Sequence, residues 1–292
     1  MHAKARLVGL IGANIMESLA PALHEDAFVA VGLHGFYHLM DLDRLPGRRL
    51  KDVLDAVKAA GFAGVNVTFP CKQAILPLLD DISTEARQIG AVNTVTIAQN
   101  GRTMGHNTDR IGFRRAFEEG LGRAAIADKP VALIGAGGAG RAVGFALMDL
   151  GAASVVVHDA DTARAEALCA DLVRHCGTGR ARSAASAAAA VAGAVGVVNA
   201  TPVGMHGIPG NPVPPAAFDA RHFVADVIYS PMETELIKAA RTKGVPVLTG
   251  GGMCVHQAVE AFRLFTGIAS DPARMQRTFA AALAARDAKA IG

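Results

Sequence analysis

The 292-residue chain reads as two α/β domains, on three observations. Short apolar segments alternate with helical spacing along nearly its whole length, which predicts parallel sheets covered by helices. The pattern changes around Gly105 to Asp109, where a helix and then a polar connector reaching Lys129-Pro130 separate an earlier group of strands from a later one. The later group opens on a strand that runs into a glycine-rich turn and a helix. At 51% hydrophobic residues, a chain of this length can bury two cores.

In the first domain the strand candidates are Leu7 to Ile11, Phe36 to Met40, Gly64 to Thr68 and Thr94 to Ile97, with Asn100-Gly101 as a hairpin turn into Thr103. Pro21 suits the first turn of a helix running to about Val31, Arg49 to Ala60 has helical apolar spacing, and Ser83 is a natural N-cap for a helix ending at Ile89. A helix from Thr108 or Asp109 to Gly120 opens the second domain. The strands Val131 to Ile134, Ser154 to His158, Val195 to Asn199, Phe223 to Val227 and Pro246 to Leu248 are short, apolar and β-branched, as in a parallel sheet covered on both faces. Helices over Val255 to Thr266 and Asp271 to Ala285 have no strand after them, so they are expected to return to the first domain. The division is then 1–107 joined by 255–292, and 108–254, with a cleft between the two.

Composition removes several function classes. The 29 basic and 26 acidic residues are scattered, without a basic run to track a phosphate backbone, so no nucleic-acid partner is expected, while a net charge of +3 is compatible with a small anionic substrate. Ser183 to Met205 carries no charge and is long enough to span a bilayer, but it is mostly Ala and Gly. A short helix over Ala184 to Ala192 followed by the buried strand Val195 to Val198 accounts for the same residues without a membrane. Cys71, Cys169, Cys176 and Cys254 show neither a C-x-x-C pair nor zinc-ligand spacing, which fits a reducing cytoplasm. Met1 to Arg6 leads straight into an apolar run that lacks the length and cleavage pattern of a secretory signal. His24, His106 and His256 form no ligand cluster with acids, and no metal is expected.

The strand Val131 to Ile134 runs into Gly135-Ala136-Gly137-Gly138-Ala139-Gly140, a G-x-G-x-x-G turn followed by a helix from Arg141 to Leu150. Gly135 allows the tight turn, Gly137 lets backbone N–H groups approach a pyrophosphate, and Gly140 lets the helix pack close to the sheet. With a second strand, Ser154 to His158, in place, this predicts a Rossmann-like dinucleotide-binding domain. Asp159 lies nineteen residues beyond Gly140, where an acid accepts from the ribose hydroxyls of NAD and repels the 2′-phosphate of NADP. Asp159 or Asp161 also suits the cap of the following helix, Asp161 better.

Two charged residues close short runs of amide, hydroxyl and turn-forming residues: Lys72 after Asn66-Val67-Thr68-Phe69-Pro70-Cys71, and Asp109 after Gly105-His106-Asn107-Thr108. An ammonium and a carboxylate meeting in a cleft could manage the proton lost by a substrate hydroxyl.

These runs resemble the motifs of the shikimate/quinate dehydrogenase family: N-V-T-x-P-x-K at Asn66 to Lys72, G-A-V-N-T at Gly90 to Thr94, N-T-D at Asn107 to Asp109, N-A-T-x-x-G-M at Asn199 to Met205, D-x-x-Y-x-P at Asp226 to Pro231 and M-x-x-x-Q at Met253 to Gln257. The resemblance implies a two-domain enzyme that passes hydride between a ring hydroxyl of shikimate or quinate and a nicotinamide. It makes Lys72 and Asp109 the catalytic pair, gives Asn66, Thr68, Asn93 and Gln257 the ring hydroxyls, and gives Ser18 and Tyr229 the carboxylate. The cofactor set is Gly135, Gly137, Gly138, Ala139, Gly140 and Asp159, with Asn199, Thr201, Met205, Val227, Gly250 and Met253 on the nicotinamide side. Whether Lys72 is a true base or a charged positioning group stays open, because desolvation lowers a lysine pKa while a neighbouring carboxylate raises it.

Three positions depart from the family pattern. Ser18-Leu19-Ala20 replaces the second hydroxyl of S-x-S or S-x-T with a methyl, which leaves shikimate, quinate or an amino analogue open as substrate. Asp159-Ala160-Asp161 stands where NADP-linked members carry N-R-T, which favours NAD. Thr249 stands where Asp is common, without an evident reason. The partner expected is a small carboxylated polyol, and the chain is expected to act as a monomer or homodimer. Folate-linked methylene dehydrogenases and an NAD-responsive binding protein share the plan. The first leaves the hydroxyl-reading set unexplained, and the second gives no reason for keeping both Lys72 and Asp109.

Overall fold

The computed structural model describes residues 6–291, so the reading of Met1 to Ala5 lies outside the described residues. The chain divides into two units, Met1–Thr108 with Val255–Gly292, and Asp109–Cys254.

The first unit contains β1 (Arg6–Gly12), α1 (Ala20–Ala30), β2 (Gly35–Asp41), α2 (Leu50–Ala59), β3 (Gly64–Val67), α3 (Cys71–Ala74), β4 (Asp81–Ile82), α4 (Thr84–Ile89), β5 (Thr94–Ile97) and β6 (Thr103–His106). Its sheet runs β2-β1-β3-β5-β6-β4. The three strands on the β2 side are parallel, whereas β3 with β5 and β5 with β6 are antiparallel. The parallel architecture expected from the alternation holds for β2, β1 and β3, and the hairpin expected at Asn100-Gly101 joins β5 to β6, so the sheet is mixed. A tight turn at Asn100-Gly101, with Gly101 at φ +78°, can only join antiparallel neighbours. The two-residue strand β4 and four-residue helix α3 are too short to leave a periodic signal. Ser83 caps α4 as expected, accepting from the Ala86 N–H at 3.2 Å.

The second unit contains α5 (Asp109–Gly120), β7 (Pro130–Ile134), α6 (Gly138–Asp149), β8 (Ser154–His158), α7 (Thr162–Cys176), β9 (Ala181–Ser183), α8 (Ala187–Val191), β10 (Gly196–Asn199), β11 (Phe223–Asp226), α9 (Glu235–Thr242) and β12 (Val247–Leu248). Its sheet is parallel throughout, in the order β12-β11-β10-β7-β8-β9. The chain winds outward from β7 to β9, then returns to lay β10 on the other side of β7. That reversal places a crevice at the carboxyl ends of β7 and β10, the usual ligand position in such sheets. Ser186 accepts from the Ala189 N–H at 3.1 Å and so starts α8 later than the alanine composition suggests. The uncharged stretch is thus a short helix and a buried strand, and no helix among the described residues is long and apolar enough to cross a membrane. The Arg110 guanidinium grips Asp149 through two 2.7 Å hydrogen bonds and ties α5 to α6.

The chain closes with α10 (Gly251–Thr266), which starts four residues before the expected Val255, and α11 (Pro272–Ile291), which outruns Ala285. Within the first unit Phe262 lies 5.1 Å from Phe28 between ring centres. Arg274 makes two hydrogen bonds to Asp26, at 2.8 and 2.7 Å, and Thr278 a third at 2.8 Å, which latch α11 to α1. The Arg274 guanidinium holds the Asp26 carboxyl below the usual carboxylate range.

His24 is the odd member of this core. It is fully buried on α1, stacked on Tyr37 at 4.7 Å, and neither ring nitrogen has a hydrogen-bond partner among the described residues. Burial pushes its pKa down from 6.5 to about 3. Its neutral form is native, so its contribution to stability is complete above pH 6.5 and is lost as pH falls towards 3. At pH 5 the unfolded state gains a proton that the native state refuses, a loss of about 2 kcal/mol relative to neutral pH. His24→Phe should remove that component of the acid slope. With Tyr229→Phe as background, Tyr37 is the remaining tyrosine in a chain without tryptophan, and its fluorescence during urea unfolding at pH 7.5 and 5 follows this unit alone. An identical acid slope with and without His24 would contradict the assignment.

Candidate functional site

The glycine turn of the second unit is built from backbone constraints. Gly135 sits at φ +102°, where a Cβ would come within 2.8 Å of the Ala200 backbone. A Cβ on Gly140 would collide with the Gly135 carbonyl, so this glycine sets the distance between α6 and the turn. Gly137 differs from both. Its backbone is extended (φ −71°, ψ −171°), it is the N-cap of α6, and nothing lies within 4 Å of where its Cβ would stand. The first-turn N–H groups of α6, from Gly138, Ala139 and Gly140, have no partners within the helix and carry the positive end of its dipole. An open cradle under a helix N-terminus suits a pyrophosphate. The helix begins three residues earlier than Arg141, so the cradle belongs to its first turn.

Asp159 follows β8 and borders this turn. One carboxylate oxygen accepts from the Ala136 N–H at 2.7 Å and the other from the Asp161 N–H at 2.9 Å. Asp161, not Asp159, caps α7, accepting from the Ala163 N–H at 3.1 Å. Each carboxylate oxygen has two acceptor sites, so Asp159 keeps capacity for two ribose hydroxyls. The residues present therefore fit a dinucleotide.

Beyond β10, Asn199 is fully buried and organises its loop. Its Oδ1 accepts from the Thr201 N–H at 3.0 Å and the Thr201 hydroxyl at 2.7 Å, and its Nδ2 donates to the Val203 carbonyl at 3.3 Å and to Asp226 at 3.0 Å. With its amide spent inside the protein, Asn199 shapes the loop carrying Thr201 and Met205, which are half-buried. Asp226, buried at the end of β11, also accepts from the Ile228 N–H at 3.0 Å and the Thr234 hydroxyl at 2.8 Å. Burial raises its pKa to about 6 despite these donors. Stability from Asp226 is complete below the ordinary carboxylate value of 3.8 and is lost as pH rises through about 6, the reverse of His24. Val227 and Tyr229 follow on the same loop, half-buried, and a Cβ on Gly250 would run into the Val227 and Ile228 carbonyls. Met253 is buried in the first turn of α10. Nothing in the structure explains Thr249.

In the first unit, Asn66 is the last residue but one of β3 and is buried with Asn93, Thr94 and Thr108 in one hydrogen-bonded cluster, joined by Gln257 of α10. Lys72 lies half-buried on α3, whose Lys72 carbonyl accepts the Val92 N–H at 2.8 Å and so ties that helix to the segment carrying Asn93. Thr68 is half-buried and its N–H donates to the Ile11 carbonyl at 2.9 Å. Ser18 precedes α1 and accepts from the Ala20 N–H at 3.3 Å, and Ala20 is the first residue of that helix. Asp109 is the buried first residue of α5, where the helix dipole favours a carboxylate. Within their own units the expected residues thus form two polar groups, Asn66-Asn93-Gln257 and Asn199-Thr201. Tyr37, Asp226 and Thr234 belong to the same groups without an expected role, as does the Ala136 N–H beside Asp159. The D-x-x-Y-x-P run contains Asp226, and Thr234-Glu235 is a cap signal, whereas Tyr37 leaves no local mark.

Known proteins can now be set beside this geometry. Residues 10–95 match the family model described as shikimate dehydrogenase substrate binding domain. The chain is 47% identical over 285 residues to the quinate/shikimate dehydrogenase (NAD(+)) of Corynebacterium efficiens, covering 96% of this chain and 99% of that one. It is 48% identical to the shikimate dehydrogenase (NADP(+)) of Streptomyces avermitilis, over 92% and 93% of the two chains. Among solved structures it resembles quinate dehydrogenase from Corynebacterium glutamicum in complex with NAD, with a TM-score of 0.85 and 44% identity over 95% of this chain and 100% of that one.

The two glycines separate binding from folding. Gly137→Ala should keep the fold, because its backbone is unstrained and its space is open, yet weaken dinucleotide binding roughly tenfold to a hundredfold by crowding one charge-assisted hydrogen bond. Gly140→Ala should lower thermal stability instead. Calorimetric titration of NAD together with melting curves checks both. Equal losses of stability in the two variants would refute the distinction.

Proposed function

The chain belongs to the shikimate/quinate dehydrogenase family, and from that premise we propose that it oxidises a ring hydroxyl of quinate, shikimate or both to the 3-dehydro ketone, reversibly, with NAD. The observation that carries the choice of NAD is Asp159, a carboxylate at the end of β8 with its two oxygens held by the Ala136 and Asp161 N–H groups. Held there, it accepts from a ribose diol and repels a 2′-phosphate.

Bound NAD supplies the hydride acceptor, C4 of its nicotinamide. The chain's own residues do the rest. Gly137 and the first turn of α6 receive the pyrophosphate, and Asn199 holds Thr201 and Met205 in place on the nicotinamide side. Asn66, Thr68, Asn93 and Gln257 read ring hydroxyls, and Ser18 and Tyr229 take the carboxylate. A site that hydrogen-bonds each hydroxyl rejects analogues lacking one far better than an apolar pocket would. Lys72 receives the proton of the reacting hydroxyl as its carbon gives up hydride, and Asp109 orients both groups. Ala20 contributes no donor at the carboxylate, so Ser18 and the start of α1 carry that contact on the helix side.

A steady-state assay crossing NAD and NADP with shikimate, quinate and an amino-substituted analogue tests the reading: NAD reduction with shikimate or quinate supports it, and no reduction with any pair refutes it. Lys72→Ala should lower kcat about 10²- to 10⁴-fold with a smaller change in KM, as loss of general acid–base catalysis does. An unchanged kcat in the folded variant would remove Lys72 from the mechanism. Asp159→Asn, which still accepts from Ala136 but carries no charge, should raise kcat/KM for NADP relative to NAD by about tenfold.

A further inference from the structure

Tyr37 stands on β2, two strands away from Asn66 on β3, with β1 between them. The register pairs Tyr37 with Val8 and Asn66 with Leu10, which puts both side chains on one face of the sheet. The buried Tyr37 hydroxyl reaches across β1 and donates to Asn66 Oδ1 at 2.9 Å. Asn66 Nδ2 uses its two hydrogens on the Asn93 carbonyl at 3.3 Å and on Thr94 Oγ1 at 3.0 Å. A backbone carbonyl can only accept, so the amide cannot be turned over without setting two oxygens against each other.

The direction then propagates. Thr94 has one hydrogen and gives it to Asn93 Oδ1 at 3.0 Å, where the Thr108 N–H fills the second lone pair at 2.8 Å. Asn93 Nδ2 donates to Thr108 Oγ1 at 2.9 Å, and the Thr108 hydroxyl lies within reach of two acceptors, Asn93 Oδ1 at 3.2 Å and Gln257 Oε1 at 3.4 Å. Behind Tyr37, the His24 ring lies nearly parallel at 21°. It is neutral and forms a flat wall that fixes the phenol without placing a charge beside it.

We propose that Tyr37 is a positioning residue that holds Asn66 Oδ1 in place once the Asn93 carbonyl has fixed the direction of the amide, so that Asn66 meets a ring hydroxyl as an acceptor. Both Asn66 amide hydrogens are committed inside the protein, and what it offers a ligand is the second lone pair of Oδ1. The site is therefore matched at this position to a group that donates, a hydroxyl or ammonium, and mismatched to a ketone or ether oxygen. The inference rests on the reading of Asn66 as a substrate contact.

The test is Tyr37→Phe, which keeps the ring and its stack on His24. The expected result is a rise in KM for shikimate or quinate of about fivefold to tenfold, with kcat and KM for NAD unchanged. Calorimetric binding of shikimate analogues each lacking one ring hydroxyl should find one analogue that binds wild type and Tyr37→Phe equally. An unchanged substrate KM overturns the proposal, as does a parallel rise in KM for NAD, which is what general loosening produces. Asn66→Ala separates the two readings: if it leaves substrate KM unchanged, the substrate contact itself is wrong, and if it raises KM while Tyr37→Phe does not, only the role of Tyr37 fails. Should Tyr37→Phe not fold, Asn66→Asp keeps an acceptor at this position, and a substrate KM raised as far as in Asn66→Ala overturns the proposal.

Discussion

A polar side chain buried at the carboxyl end of a strand must find its hydrogen bonds inside the protein, and both units are organised around that requirement. Asn66 stands one residue before the end of its strand in the first sheet, and Asn199 and Asp226 end theirs in the second. Leaving one such group unpaired costs about 1–3 kcal/mol, a large share of a typical domain's stability. Each is satisfied by residues of neighbouring strands and loops, so the same bonds that make burial tolerable also fix the adjoining segments. Asn199 shapes the turn to Thr201 and, with Thr234, ties it to Asp226. Asn66 and Asn93 do the same for the segments leading to Thr94 and Thr108.

Saturation has a chemical consequence. An amide with every donor spent has a fixed polarity, and a pocket lined by such amides selects ligands by the direction of their hydrogen bonds as well as by shape. In the second unit, by contrast, the selection proposed for Asp159 is electrostatic. Its geometry is held by two backbone N–H groups, while its charge distinguishes a diol from a phosphate ester.

His24 and Asp226 show the cost of burying titratable groups. Both are forced towards their neutral forms, one by a lowered and the other by a raised pKa, so acid weakens the core of the first unit and favours the network of the second. His24 makes no hydrogen bond among the described residues, and its place is explained by the flat contact with Tyr37.

Much of this was legible in the chain itself. Strand–helix alternation gave two α/β units, G-x-G-x-x-G gave the turn, and Ser83, Asn100-Gly101 and Pro21 marked local boundaries, because each depends on backbone geometry within a few residues. The far edge of the first sheet was not legible, since β4 and the helix α3 before it are shorter than any periodicity. The cap of α7 was legible, Asp161 suiting it better than Asp159, whereas the contact of Asp159 with the Ala136 N–H was not, because it joins residues 23 apart. By itself the sequence determined which residue types stand at the strand ends and that NAD suits Asp159. Only the tertiary structure decided how each amide is held, because its partners are as distant as the Asn93 carbonyl and Tyr37, which lies 29 residues away and two strands across the sheet. That contact depends on strand order and register, which no local pattern specifies.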